Sequence, residues 1–136
     1  MHITILGSGT CVPISERSSA CIKLVSGTFT AVLDSGPGSL RQMAISGTTI
    51  NEIDLLCYTH QHIDHTADLV PLLFASKYDP QPRMNDLSIM ATPGFRDFYH
   101  KLTQAYGDWI VPEHYMINWH EIHTQPVVIG DLSITC

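Results

Sequence analysis

An α/β fold, a mixed sheet with flanking helices, is what this chain of 136 residues predicts. Two observations carry the prediction. Short apolar runs with strand character alternate with helical patterns from one end of the chain to the other. Near the start, two such runs are separated only by a Ser26-Gly27 turn, the mark of a hairpin.

The elements follow in order. Residues 3–6 are the first strand. Residues 20–25 and 28–33 pair about the turn, where glycine accepts a positive φ without penalty. A short helix spans 39–45, with Gly47 as its stop. The stretch 53–59 is a buried strand, best defined at 55–58. An apolar helix runs from Leu69 to about Lys77, and Pro71 is expected to kink or split it by removing an amide donor. Residues 79–82 (Asp-Pro-Gln-Pro) form a loop, 87–91 a strand and 94–106 a helix. Short strands fill 116–136, the last an apolar alternation at 132–136. There are no repeats or low-complexity tracts, so residues 1–136 are expected to form one domain.

Composition bounds the function. A chain this long buries about two-thirds of its unfolded surface in one domain. No apolar run approaches the length of a bilayer span, and the start lacks a basic segment followed by a long apolar core. A cytoplasmic location is expected, with no membrane partner. Cys11, Cys21, Cys57 and Cys136 include no C-x-x-C pair, which argues against a disulfide framework or a thiolate zinc site. The net charge is −6, and the seven Lys and Arg are dispersed. Nucleic acid is normally gripped by a basic patch, so a small anionic substrate is favoured over a polynucleotide.

The chemistry is concentrated in His60-Gln61-His62-Ile63-Asp64-His65, four strong metal ligands in six residues. Imidazole and carboxylate are the donor set of catalytic zinc. The hexad falls between a strand and a helix, where a rigid scaffold presents side chains. Extended backbone sends residues i and i+2 to one side, so His60 and His62 can close on one ion. Asp64 and His65, at the helix start, suit a second. Asp64 could instead cap that helix. Asp34 is a candidate to accept a proton from the second ring nitrogen of a ligand histidine, or else a turn or cap residue. Gly7-Ser8-Gly9 lacks the further residues of a phosphate-binding loop and is expected to be a tight turn. His2, His100, His114, His120 and His123 are expected to be solvated or to line a substrate pocket.

Together these motifs resemble the metallo-β-lactamase superfamily, specifically its ribonuclease Z-like branch. The resemblance runs in order through Ile3 to Thr10, Val12-Pro13, Arg17 to Ser19, the Asp-Ser-Gly-Pro-Gly segment from Asp34, and Thr59 to Leu69. It implies the amino-terminal half of an αββα sandwich, truncated before a third metal-binding histidine, a bridging aspartate and a last histidine. It also implies a centre of two zinc ions (Mn or Fe being alternatives), held here by His60, His62, Asp64 and His65. Asp64 would orient the attacking water, and the segment from Asp34 would pack against the metal loop. The implied function is a metal-dependent hydrolase of phosphodiesters, catalytically incomplete in this chain. Two alternatives stand beside it, a non-catalytic metal-binding or interaction protein and a tRNA 3′-processing endoribonuclease. Half of a sandwich would leave a sheet face and a strand edge bare, so self-association is expected.

Overall fold

The fold is known from a computed structural model, which describes residues 1–122, 126–130 and 132–135. His123 and Cys136 lie outside the described residues. A six-stranded mixed sheet is built from β1 (His2–Gly7), β2 (Cys21–Ser26), β3 (Phe29–Leu33), β4 (Leu55–Tyr58), β5 (Leu87–Ala91) and β6 (Ile117–Glu121), side by side in chain order. The first three strands are antiparallel, and the β3–β4, β4–β5 and β5–β6 pairs are parallel. Gly27, at φ 58°, turns β2 into β3, and Ser26 pairs with Phe29 across it. Each parallel step is spanned by a helical crossover. These are α1 (Ser39–Ile45), then α2 (Ile63–Thr66) with α3 (Leu69–Tyr78), then α4 (Phe95–Tyr106).

Side chains alternate across the sheet, and each face has its own core. Val32, Leu56, Tyr58, Ile89 and Ala91 point to the helices and pack with Met43, Leu69, Leu72, Leu73 and Phe95, all nearly fully buried. Tyr58 stacks on Phe95 with ring centres 4.6 Å apart, and burial drives its phenol pKa strongly upward, so it stays neutral. Ala31, Leu55, Cys57 and Met90 point the other way. The antiparallel hairpin of β7 (Val127–Ile129) and β8 (Leu132–Ile134) packs over them through Ile129, Val127, Leu132 and Ile134. That cover is partial, for Ile3 and Ile5 of the edge strand β1 are 56% and 69% exposed.

Three local features differ from, or extend, the sequence reading. Pro71 neither kinks nor splits α3. It occupies the third position of that helix, within the first turn, where its missing N–H has no intrahelical partner to lose. The helical stretch is instead divided at Ala67–Asp68, and the Asp68 carboxylate accepts a hydrogen bond from the Leu40 amide at the start of α1 (2.8 Å). Arg83 is buried, an unusual position for a charge. Its guanidinium donates to the carbonyls of Ile50, Ile53, Asn85 and Asp86 and lies over the Tyr115 ring, tying three chain segments at the foot of β4 and β5. Cys21 and Cys57 are buried cysteines and Cys11 an exposed one, none of them in a disulfide. Burial pushes the Cys21 thiol up to about 11, so it behaves as a small hydrophobe.

Candidate metal centre

The hexad leaves the carboxyl end of β4, the edge of a parallel sheet where ligand sites collect. His60 and His62 lie on the extended link from β4. His62 occupies the residue before α2, and Asp64 and His65 lie within that helix. Asp64 therefore does not cap α2. His60 and His62 meet edge to face at 4.6 Å between ring centres, and His60 and His65 tilt together at 4.0 Å.

Asp34 ends β3 with a left-handed backbone, φ 57°, and turns its carboxylate up beneath the loop. Its own N–H bonds to the Cys57 carbonyl, which holds the neighbouring strand end (2.8 Å). One carboxylate oxygen accepts the Thr59 amide at 2.9 Å. The other takes His65 Nδ1 at 2.7 Å, and the Thr59 hydroxyl reaches both at 3.0 and 3.2 Å. A carboxylate can only accept, so His65 carries a proton on Nδ1, and in its neutral form the ring presents a bare Nε2. That nitrogen stands 3.6 Å from an Asp64 carboxylate oxygen. Two ligands at about 2.0–2.1 Å on a tetrahedral zinc are separated by roughly 3.3–3.4 Å, so Asp64 and His65 are spaced as a pair that can share an ion.

The segment after Asp34 fixes the loop from below. Ser35 N bonds to the His65 carbonyl (2.7 Å), Asp68 N bonds back to the Ser35 carbonyl (2.9 Å), and the Ser35 hydroxyl bonds the buried Tyr58 hydroxyl (2.7 Å). Gly36 passes so close to Asp64 that an added Cβ would lie 1.9 Å from the Asp64 carbonyl oxygen. This is the packing that the resemblance implied for the Asp-Gly segment.

The donor chemistry fits a divalent ion, and the donors come in pairs. Among the described residues no three His, Cys, Asp or Glu side chains are placed to hold one ion together. His60 with His62, and Asp64 with His65, could each supply part of a coordination shell. The residue that sequence reasoning missed is Thr59, whose hydroxyl also lies 2.9 Å from His60 Nδ1. A lone threonine before a histidine carries no pattern that would single it out. His120 sits on β6 in register with Met90 and lines a small cavity of about 160 Å³ with Thr92 and Arg96. His100 and His114 are exposed. On the helix side of the loop, Gln61 and Ile63 border an open groove of about 370 Å³ with Val70, Phe98, Leu102 and Tyr106.

Residues 15–128 match the family model described as the metallo-beta-lactamase superfamily. A curated relative named Ribonuclease Z, from Mycolicibacterium gilvum (strain PYR-GCK), is 30% identical over 138 residues, covering 99% of this chain and 46% of the relative. The chain thus spans about half the length of the curated relatives it matches. Two solved structures share the fold. The metallo-beta-lactamase fold protein YhfI from Bacillus subtilis superimposes with a TM-score of 0.78 at 20% identity, over 98% of this chain and 51% of that one. Human tRNase Z, short form (ELAC1), gives 0.73 at 23% identity, over 89% and 45%.

Proposed function

Because the chain belongs to the metallo-β-lactamase superfamily, we propose that its hexad carries half the ligand set of a two-metal hydrolase of phosphodiesters, zinc being the favoured ion. The observation that carries this reading is the Asp34–His65–Asp64 arrangement: an anchored imidazole whose bare Nε2 faces a carboxylate at ligand spacing. His60 and His62 would hold one ion, and Asp64 and His65 the other. The chemistry such ions supply is Lewis acidity, which activates water near neutral pH and neutralises phosphoryl oxygens. Asp64 would orient that water by accepting its hydrogen bond. Asp34 holds the proton on His65 Nδ1 throughout, leaving Nε2 as a donor atom.

A second reading, tRNA 3′-end cleavage, is favoured by the name of the curated relatives. The charge of −6 and the dispersed Lys and Arg argue for a small phosphodiester instead. The test is release of nitrophenol from bis(p-nitrophenyl) phosphate with added zinc or manganese, beside cleavage of a precursor tRNA. Four donors in two pairs leave each ion short of ligands, and a misplacement of about 1 Å costs on the order of a hundredfold in rate. The 136-residue chain is expected to turn over weakly, and a version extended by a second half-sandwich strongly. Fast turnover by the chain alone, abolished by Asp64→Ala, would overturn the proposed incompleteness. Inactivity of the extended protein on every phosphodiester would overturn the substrate class.

The partner proposed for the bare part of the sheet is a second copy of this chain. Met1, Ile3 and Ile5 are 84%, 56% and 69% exposed beside the edge of β1 that has no partner strand among the described residues, and no Lys or Pro guards that strand. Light scattering is expected to give a dimer or larger species, and Ile3→Lys with Ile5→Lys to restore the monomer. A wild-type monomer at high concentration would rule this out.

A further inference from the structure

We infer that Thr59 is a positioning residue that sets the proton of His60, a role that rests on the metal-site reading above and extends it to the first histidine of the hexad. The argument is a count of protons. The Thr59 hydroxyl has one hydrogen and four neighbours within bonding reach, the two Asp34 carboxylate oxygens at 3.2 and 3.0 Å, His60 Nδ1 at 2.9 Å and, farthest, His65 Nδ1 at 3.5 Å, whose own hydrogen is given to Asp34. The carboxylate offers only lone pairs, so the hydroxyl hydrogen is directed at Asp34. Turned toward His60 instead, it would leave hydroxyl lone pairs against two anionic oxygens.

With its hydrogen given to Asp34, Thr59 can only accept from His60. Neutral His60 therefore bears its proton on Nδ1, and its Nε2 lone pair is bare. Asp34 imposes the same form directly on His65 (2.7 Å). One carboxylate thus sets two imidazoles, one by contact and one through a threonine. The Thr59 amide, also bonded to Asp34 (2.9 Å), keeps the hydroxyl over the carboxylate without help from the side chain. The two rings lie 4.0 Å apart, so setting both tautomers prepares adjacent donors in the same protonation form before any ion arrives.

Thr59→Val removes the hydroxyl at nearly constant shape, and Thr59→Ser restores it. The first readout is long-range proton–nitrogen NMR on the metal-free chain at about pH 8, above the usual histidine range. His60 is expected as the Nδ1–H form in the wild type and in Thr59→Ser. In Thr59→Val it is expected to take the mixture shown by the exposed His114, with His65 unchanged. The second readout is zinc affinity by competition with a chelator, where loss of such a supporting bond is expected to weaken binding about tenfold. A double variant, His60→Ala with His62→Ala, sets the background. Thr59→Ala stands in if the valine variant loses its dispersed amide spectrum. An Nε2–H form of His60 in the wild type, or the same form with and without the hydroxyl, would overturn the inference. A tautomer switch with zinc uptake no greater than the background would instead uphold the role of Thr59 and overturn the metal site.

Discussion

Alanine at position 36 is expected to lower the melting temperature by roughly 10 °C or more, the result of about 3 kcal/mol of overpacking in a chain this size. The added Cβ would stand 1.9 Å from the Asp64 carbonyl oxygen and 2.6 Å from the Ser19 Cβ. Neither neighbour can yield cheaply. The carbonyl belongs to the backbone of α2, and the Ser19 hydroxyl is bonded to the Thr10 carbonyl (3.0 Å). Relief means lifting the metal loop from the segment that carries Asp34, so zinc binding should fall with stability. Gly47→Ala is the control, for Gly47 has nothing within 4 Å and pays only for its φ of 74°, about 1 kcal/mol. Equal melting temperatures for the two variants would show that the loop floats free of the glycine segment.

Zinc retained after dialysis is expected to drop to background when His60 and His62 are both replaced by alanine. Asp34→Ala is expected to weaken binding by ten- to a hundredfold while every proposed ligand remains in place. The double substitution removes two imidazole donors, whereas the aspartate substitution removes what orders His65 and Thr59 and adds the strain of alanine at φ 57°. Metal analysis and a chelator competition series separate the cases. Zinc equal in the wild type and the double variant would place the metal elsewhere, and undiminished affinity in Asp34→Ala would make that carboxylate a mere turn residue.

The strands and long helices were legible because their signals are local. The strand at 87–91, the Ser26-Gly27 turn and the apolar run at 55–58 each fit the structure to within a residue or two. The placement of the hexad between a strand and a helix was legible for the same reason. What escaped depends on distant contacts. The division between α2 and α3 goes with a hydrogen bond that the Asp68 carboxylate accepts from the Leu40 amide, twenty-eight positions away, and not with Pro71. The sequence predicts short strands where the hairpin of β7 and β8 lies, but nothing in those residues says which sheet face they cover. Thr59 became visible only when Asp34, twenty-five positions earlier, was brought beneath it.

Asp34 is the one non-glycine residue with a positive φ among the described residues. Left-handed backbone is disfavoured for side chains with a Cβ, and among them aspartate and asparagine tolerate it best. The same position must present an anion to Thr59 and His65 over a short reach. Glycine and asparagine meet the backbone demand without charge. Glutamate brings the charge on an arm one methylene too long and resists the turn. Aspartate alone satisfies both demands, so the mutational tolerance of position 34 narrows to a single amino acid, though no reacting atom is touched there. A residue beneath the proposed ligands is thereby expected to accept as few replacements as they do.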